Sequence, residues 1–514
     1  MFQRAPEPPE PSFETQASPA PQDEGSTLSP GGPIAVLTPT SRQITETRRR
    51  AACVHPRGGS RPLLLRCAAG RARPRWRALC AQSLAGADSR RDRRLFRPQL
   101  CRRRRADRRR AGRWRCRGVG EAYATFRHPA VCPLNQIGDN LFVLELFHGP
   151  TLAFKDVAMQ LLGRLMDHVL KLRGERATIV GATSGDTGGA AIDAFKGLER
   201  VDVFILYPQG RVSDVQRRQM TTVEADNVHA VAVEGTFDDC QNLVKALFNH
   251  HAFRDEIGLS GVNSINWARI AAQVVYYFTS AVSLGAPGRK VSFAVPTGNF
   301  GDVLAGFVAK RMGLPIERLL IGTNSNDILA RTLASGAYEM KGVHATTSPS
   351  MDIQISSNFE RLLFEVHGRD GAAVRRLMQS LQQSGRFEIA AEPLAAIRAE
   401  FDATGIDEAA TSAEIGRTWR EAGYLLDPHT AVGVAAARGG LLKDPATPMI
   451  VLGTAHPAKF PAAVKAASGV TPALPAHLGD LMEREERFTL LPNDQGAIEA
   501  FVRAKARAVR SAAA

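Results

Sequence analysis

One lysine stands where a turn passes into a helix, in a setting that could make its amine a nucleophile. It is Lys155, within the segment 145–163, with Phe154 before it and Asp156 after it. Apolar residues at three-to-four spacing follow and predict an amphipathic helix. A partly desolvated lysine loses some preference for its charged form, and the uncharged amine attacks a carbonyl carbon. The alternative is a solvated surface lysine, but the anion-binding loops further along the chain favour the reactive interpretation.

The first of these loops joins a predicted strand, 177–183, to a predicted helix, 190–196. Glycines allow close approach of the backbone to a ligand, and the N–H groups and dipole at a helix start favour an anion. Hydroxyl groups add further donors. A tight turn packed with small residues is the alternative. The polar and glycine residues of this loop are Thr183, Ser184, Gly185, Asp186 and Thr187.

A second loop has the same construction, between a predicted strand at 291–296 and a helix that begins at Val303. Its core residues are Gly298, Asn299, Phe300 and Gly301. The loop lacks the GKS or GKT of a Walker loop and a full GxGxxG fingerprint, but it could hold one phosphate. Two anion-binding loops in one α/β body favour a phosphorylated cofactor together with an anionic substrate.

A third polar segment precedes a predicted helix at 270–284. It contains Asn263, Ser264 and Arg269. An arginine in the first turn of a helix opposes the helix dipole, so a purely structural role has a small cost. Binding an anion explains the arginine better.

The fourth segment follows the predicted strand 449–453. Thr454 lies at the carboxyl end of that strand, where α/β folds place ligand contacts. His456 precedes a proline, and His148 lies beside another proline turn. We interpret both histidines as turn residues rather than as catalytic bases. The cysteines lack CxxC pairs, so no metal site is expected.

The elements that position these loops alternate between strand-like and helix-like patterns, which predicts an α/β fold with parallel sheets. Near-continuous apolar strands predict sheets covered on both faces. Residues 327–426 are predicted to be mainly helical. Further strands are predicted at 201–208, 228–234 and 319–323, and further helices at 212–225, 237–250 and 303–312.

Four regions are predicted along the 514 residues. Residues 1–47 read as a disordered lead-in, 48–118 as an arginine-rich segment, 119–470 as the catalytic α/β body and 471–514 as a helical tail. Residues 48–117 hold 25 arginines and three aspartates, a net charge of +22, which leaves −7 for the rest of a chain whose total is +15. The basic charge therefore says little about the partners of the body.

The arginine-rich segment has three interpretations. It could be a basic arm for RNA or an acidic partner, or an organelle-targeting segment. We favour a third, translation of GC-rich DNA out of frame, because the segment has no lysine and five of the seven cysteines. One uninterrupted frame on resequencing would remove that hypothesis.

Location and assembly are less constrained. No apolar run reaches the length of a membrane span, so a soluble protein is expected. The isolated Cys132 and Cys240 suit a reducing compartment, and we expect a cytoplasmic protein, either a monomer or a homodimer.

Five motifs, in this order and spacing, resemble the threonine synthase family, which uses pyridoxal phosphate and has the tryptophan-synthase-β fold type. The resemblance covers about residues 121–464 and implies two α/β domains with the cofactor in the cleft between them. The motifs are HGPTLAFKDVAMQLL, ATSGDTGGAA, NSINWAR, PTGNFGD and LGTAHPAKF.

The resemblance also implies roles for the residues of each motif. Lys155 resembles the lysine that bonds to the cofactor aldehyde and later carries protons. The loop Gly298–Gly301 resembles the one around the cofactor phosphate, and Thr454 the hydroxyl that faces the pyridine nitrogen. The loop 183–187 resembles the one that takes the substrate carboxylate, with Asp186 at the cofactor ring. Asn263, Ser264 and Arg269 are similar to contacts of the substrate phosphate.

The implied reaction converts O-phospho-L-homoserine and water to L-threonine and phosphate. A phospholyase or dehydratase of the same fold type, releasing a 2-oxo acid, is the alternative among enzymes. An RNA-binding protein that uses the arginine-rich segment is a more distant alternative. The chain departs from the family before Glu121, where the threonine-arginine-glycine and aspartate-glycine-glycine-leucine-tyrosine segments are not found.

Overall fold

The structure is a computed structural model that describes residues 118–508. All of these residues belong to the larger of the two compact units into which the chain divides. The predicted lead-in, 1–47, and all but the last residue of the arginine-rich segment, 48–118, lie outside the described residues. The interpretations of those segments therefore stay predictions.

The strands of the described residues are short, and most follow the predicted apolar runs. In chain order they are β1 (Leu134–Gly138), β2 (Leu141–Glu145), β3 (Ala177–Ala182), β4 (Val201–Pro208), β5 (Val228–Val233), β6 (Leu259–Ser260), β7 (Val291–Pro296), β8 (Ile316–Thr323), β9 (Ala337–Glu339), β10 (Arg386–Glu388), β11 (Phe401–Gly405), β12 (Met449–Gly453) and β13 (Thr489–Leu491).

The α-helices that follow β2 lie mainly between these strands. They are α1 (Lys155–Arg173), α2 (Asp186–Phe195), α3 (Asp214–Thr221), α4 (Phe237–Asn249), α5 (His251–Glu256), α6 (Trp267–Ser283), α7 (Gly301–Arg311), α8 (Ile328–Ser335), α9 (Phe359–Val366), α10 (Gly371–Ser384), α11 (Ala391–Glu400), α12 (Glu408–Ala422), α13 (Pro428–Lys443), α14 (Pro461–Ser468) and α15 (Gln495–Lys505).

Two sheets carry the site. Within residues 118–508, the larger sheet has the order β1-β2-β12-β7-β8-β11, and the smaller has the order β13-β5-β4-β3-β6. Every pair in the two sheets is parallel except β1 with β2. The carboxyl ends of β3, β7 and β12 lead into three of the four loops singled out in the sequence, and this sheet edge is where α/β folds bind ligands.

Burial explains why these strands could be predicted from the sequence. Every residue of β4, β7 and β12 is buried, because helices cover both faces of each sheet. One core packs α2 and β3 around Phe195 and Ile179, and a larger one packs α6 and α7 around Tyr277 and Phe293. Burial of these apolar side chains fixes the strand ends that hold the site.

The predicted α/β class and parallel sheets are confirmed, and the strands predicted at 201–208, 291–296 and 449–453 match β4, β7 and β12. The mainly helical prediction for 327–426 missed β9 and β10, which pair with each other, and β11, which pairs with β8 at the edge of the larger sheet. The prediction of a helical tail missed β13, which pairs with β5. All four strands are short, so their sequences carry a weak period-2 signal. No helix within 118–508 has the length and hydrophobicity needed to cross a membrane.

Candidate active site

Lys155 is the first residue of α1 and is 7% exposed. The loop before it is tied to the end of β12, because Phe154 N donates to the carbonyl of Thr454 (2.8 Å) and Ala153 forms a bridge with Ala455. The larger sheet therefore fixes the point from which the lysine side chain extends. The predicted loop-to-helix position of Lys155 is confirmed.

The amine of Lys155 contacts a carboxylate from the smaller sheet. Its Nζ lies 3.1 Å from Oδ2 of Asp186, which begins α2 directly after the loop that follows β3. The other carboxylate oxygen lies 2.7 Å from Nζ of Lys459 and accepts a hydrogen bond from Nε2 of Gln216 (2.9 Å). One buried carboxylate is thus shared by two buried lysines.

Burial and the charges of this cluster together shift the pKa values of both Lys155 and Asp186 downward. Burial lowers the pKa of Lys155, the carboxylate of Asp186 opposes that shift, and the positive charges of Lys459 and Arg269 add to it. Burial alone would raise the pKa of Asp186, but Lys155 and Lys459 hold it well below its usual range. A desolvated amine with further cations nearby is the arrangement that favours a nucleophilic lysine.

The loop after β3 is held by its own side chains. The hydroxyl oxygen of Thr183 accepts hydrogen bonds from the backbone N–H groups of Gly185 and Gly188, each at 2.9 Å. Gly185 has φ 133°, and a Cβ there would lie 2.4 Å from the side chain of Gln216. Only glycine fits this position, and the turn it allows directs Asp186 toward Lys155.

Ser350 connects the lysine to the glycine loop after β7. Its Oγ lies 3.5 Å from Nζ of Lys155 and 3.2 Å from Oδ2 of Asp186. A Cβ at Gly298 would lie 3.1 Å from the carbonyl oxygen of Ser350, so the glycine loop packs directly against this residue. The amine and the candidate phosphate loop are therefore separated by a single residue.

The backbone of Ser350 is held in place by a hydrogen bond to a residue near the start of α13. Its backbone N–H donates to Nε2 of His429 (3.3 Å), whose Nδ1 lies 2.9 Å from Oδ1 of Asp427. His429 must then carry its proton on Nδ1, since Nε2 accepts. The hydroxyl of Thr430 donates to the other oxygen of Asp427 and accepts from Thr454 N (3.1 Å). Thr430 therefore links the Asp427–His429 pair to the end of β12.

The glycine loop leads into the start of α7 through a residue in the left-handed region. Phe300 has φ 60° and a side chain 1% exposed, packed against Phe359 and Phe401. The carbonyl of Asn299 accepts from both the backbone and the side chain of Asn358, each at 3.1 Å. The strained backbone is thus held by the packing of Phe300, and a helix start such as that of α7 presents N–H groups that favour an anion.

The segment before α6 lies against the same loop. The carbonyl of Ser264 accepts from Nδ2 of Asn358 (3.2 Å), and its hydroxyl lies 3.4 Å from that of Ser357. Arg269 is 4% exposed and donates from one nitrogen to the carbonyl of Val262 (2.8 Å).

Arg269 has the properties of an anion-binding group. Among residues 118–508 it forms no ion pair with a carboxylate, and its buried Nε has no hydrogen-bond partner. Burial lowers its pKa to about 10. A buried guanidinium without a counter-ion is costly unless a ligand supplies the negative charge.

The remaining predicted residues lie at the margins of this cluster. Thr454 is 6% exposed, and its backbone joins both Phe154 and Thr430. Ser184 and Thr187 are half-buried beside Asp186, whereas Asn263 is exposed at the outer end of its loop. The roles assigned to these four side chains stay predictions.

The sequence did not reveal every residue of the cluster. Lys459 belongs to a recognised motif, but nothing local distinguished it from a surface lysine. Ser350 gave no signal, since it lies in the segment predicted to be mainly helical. Asp427 and His429 begin α13, and the Asp-Pro-His order is a helix-start signal that says nothing about a site.

The two histidines interpreted as turn residues keep local contacts. Nδ1 of His456 accepts from the backbone of Ala458 (3.1 Å), and burial lowers the pKa of His456 to about 4. Nε2 of His148 lies 2.5 Å from a carboxylate oxygen of Glu145. Neither histidine has a hydrogen bond to Lys155 in the described residues.

A phosphorylated aldehyde fits these residues on three observations. A buried amine of lowered pKa faces a shared carboxylate, a glycine loop at a helix start packs against the neighbouring residue, and a buried guanidinium has an unpartnered nitrogen. By contrast, no group of histidine, cysteine or carboxylate side chains in residues 118–508 could hold a metal ion.

Comparisons with known proteins agree with this chemistry. The family model described as pyridoxal-phosphate dependent enzyme matches residues 130–453, and the model described as threonine synthase, C-terminal, matches residues 430–502. A Pseudomonas aeruginosa protein named threonine synthase is 55% identical over 383 residues, which cover 74% of this chain and 81% of that protein.

Solved structures give the same result. The crystal structure of a PLP-bound threonine synthase from Brucella melitensis has 67% identity and a TM-score of 0.74, covering 76% of this chain and 84% of that one. A yeast threonine synthase structure has 43% identity and a TM-score of 0.71, covering 75% of this chain and 83% of that one.

Proposed function

Because the chain belongs to the threonine synthase family of pyridoxal-phosphate-dependent enzymes, we propose that it converts O-phospho-L-homoserine and water to L-threonine and phosphate, the last step of threonine biosynthesis. The observation that carries this proposal is the position of Lys155, whose buried amine lies between Asp186 and Ser350, with the Gly298 loop against Ser350. Pyridoxal phosphate, when bound, withdraws electrons from the reacting substrate carbons.

Lys155 acts as the nucleophile and the proton carrier. With pyridoxal phosphate bound, its amine would hold the cofactor, and once the substrate amine had taken its place it would take and return protons at the substrate carbons. The lowered pKa of Lys155 supports this role, because it increases the fraction of uncharged amine, the form that accepts a proton.

We assign the cofactor phosphate and the substrate carboxylate to different loops. The loop Gly298–Gly301, at the start of α7, would hold the cofactor phosphate, and Thr454 would face the pyridine nitrogen. Asp186 would border the cofactor ring, while Thr183, Ser184, Gly185 and Thr187 would form the loop that takes the substrate carboxylate.

The substrate phosphate is held by Arg269 with Asn263 and Ser264. The unpartnered nitrogen of Arg269 supports this assignment. A guanidinium placed there stabilises the leaving phosphate as its negative charge develops.

Product analysis with O-phospho-L-homoserine tests the proposal. We expect threonine and phosphate in equal amounts from the full-length protein, and a loss of turnover on the order of 10³-fold in Lys155→Ala. The exposed Lys465 on α14 provides a control, since Lys465→Ala removes a lysine far from the chemistry. Formation of 2-oxobutyrate in place of threonine would establish the lyase alternative.

We infer a cytoplasmic enzyme that acts on a small molecule and does not require nucleic acid. Cys132 and Cys240, the cysteines among the described residues, are both free, which suits a reducing compartment. Cell fractionation tests the location. A salt-dependent RNA affinity that disappears on deleting residues 1–118 would instead support the nucleic-acid alternative.

A further inference from the structure

We propose that Lys459 is a positioning residue that serves as the permanent counter-ion of Asp186 and so leaves the amine of Lys155 free to react. This inference rests on the proposed function, because it concerns the lysine that bonds to the cofactor. Lys459 acts through its ion pair with Asp186 and not by contact with the reacting atoms.

The contacts of Lys459 are those of a fixed internal cation. Its side chain is completely buried, and Nζ lies 2.7 Å from Oδ1 of Asp186 and 2.8 Å from the carbonyl oxygen of Thr151. Its own carbonyl accepts from the hydroxyl of Ser213 at the start of α3 (3.4 Å). Lys459 therefore joins the loop before Lys155 to the helix start at Asp186.

The two lysines differ in what the chemistry requires of them. For Lys155 to react, its ammonium must release a proton to solvent. Its Nζ then bonds to the aldehyde carbon, and the aldehyde oxygen leaves as water. If Lys155 were the sole partner of Asp186, that loss of charge would leave a buried carboxylate unpaired, which is strongly unfavourable. Lys459 keeps the carboxylate paired before and after the reaction.

The geometry fits this division of roles. The contact of Lys459 with Asp186 is shorter than that of Lys155, 2.7 against 3.1 Å. Ser350 and Gln216 donate to the same carboxylate, so its position does not depend on Lys155.

Several other charged or titratable groups lie near the pair. They are Arg269 on α6, Asp302 on α7 and His429 on α13. The test must therefore alter Lys459 and Asp186 while these groups stay in place.

The test measures the reaction of Lys155 with pyridoxal phosphate rather than turnover. Full-length protein freed of cofactor is mixed with pyridoxal phosphate at a series of pH values, and the bonded fraction is trapped with borohydride. The pH midpoint of this reaction reports the pKa of the attacking amine. The variants are Lys459→Met, Lys459→Arg, Asp186→Asn and the double variant that combines Lys459→Met with Asp186→Asn. Lys465→Met is the surface control.

The proposal predicts an order of midpoints. In Lys459→Met, Asp186 has only Lys155 as a partner, so the midpoint rises by on the order of one pH unit. Lys459→Arg restores the wild-type value. The midpoint of the double variant falls below that of Lys459→Met and stays above that of Asp186→Asn, in which Lys459 still repels the ammonium of Lys155.

Three results would overturn the inference. An unchanged midpoint in Lys459→Met, with normal incorporation of cofactor, would overturn the role of Lys459 alone. Failure of the wild-type protein to incorporate pyridoxal phosphate would overturn the proposed function as well. If Lys459→Met does not fold, the double variant, which removes both charges of the pair, is compared with Asp186→Asn. Equal midpoints in those two proteins would contradict the proposal.

Discussion

At the scale of single residues, the site is defined by charges that lack their usual partners. Among residues 118–508, Arg269 is buried without a carboxylate partner, and Lys155 shares the carboxylate of Asp186 with Lys459. Such an excess of positive charge is unfavourable for folding, but it suits a pocket that receives two phosphates. Buried cationic residues of this kind are therefore expected to lower the stability of the fold while they raise the affinity for anionic ligands.

Arg269→Met separates these two effects. We expect the KM for O-phospho-L-homoserine to rise by roughly 10- to 100-fold, the equivalent of one or two lost charge-assisted hydrogen bonds. The melting temperature should stay the same or rise, because the variant removes a buried charge without a counter-ion. Steady-state kinetics and thermal unfolding of the same preparations measure both quantities.

Arg361 provides the matched control. It lies beside the same segment, donates to the carbonyl of Ile265 (2.7 Å) and stacks on Trp267, but it is only partly buried. Arg361→Met should leave the KM within a factor of about two, as expected of a surface substitution. Equal effects of the two variants on the KM would contradict the assignment of Arg269 to the substrate phosphate.

At the scale of elements, the loop after β7 must bring its backbone close to Ser350. A Cβ at Gly298 would lie 3.1 Å from both the carbonyl oxygen of Ser350 and the Cα of Met351, which are backbone atoms that cannot move alone. Gly298→Ala should therefore shift the loop at a cost of about 1–3 kcal/mol.

We expect that shift to appear as weaker cofactor binding in Gly298→Ala, by roughly 5- to 150-fold. Fluorescence or absorbance titration of cofactor-free protein with pyridoxal phosphate measures it. Gly439→Ala is the control, since Gly439 lies within α13 with no atom close to the added methyl group. Unchanged affinity in Gly298→Ala would show that this loop does not hold the cofactor phosphate.

The elements also show what could be predicted from the sequence. The strands β4, β7 and β12 and the position of Lys155 each come from one continuous motif, so local patterns were sufficient. The contacts of Ser350 with Asp186 and Lys155 span 164 and 195 residues. Local periodicity carries no information about such pairings, and the cluster had to be found in three dimensions.

At the scale of the whole molecule, two buried aspartates make stability depend on pH. Burial raises the pKa of Asp302 to about 7, partly offset by hydrogen bonds from Tyr276 and Tyr277, and it raises that of Asp156 to about 7 as well. In the unfolded chain each carboxyl titrates near its ordinary value of 3.8. Both aspartates thus favour the folded state most below pH 4, and their contribution is lost as the pH rises through 7.

Asp302→Asn tests this dependence. The variant stays neutral at every pH, so the loss of stability between pH 5 and 8 should become smaller, by on the order of a few kcal/mol in free energy. Chemical denaturation across that range measures it, and Asp238→Asn, at an exposed position near the start of α4, is the control. Asp186 does not interfere, because its depressed pKa places its contribution at lower pH, where stability is lost on acidification. A parallel pH profile for wild type and Asp302→Asn would contradict the account.

Identifying the lysine that bonds to the cofactor tests the proposed role of Lys155. The full-length protein loaded with pyridoxal phosphate is reduced with borohydride, digested and mapped by mass spectrometry. We predict that the pyridoxyl-phosphate label lies on Lys155 and that Lys459, within the same charged cluster, carries none. A label on Lys459, or a protein that takes up no label, would contradict the account.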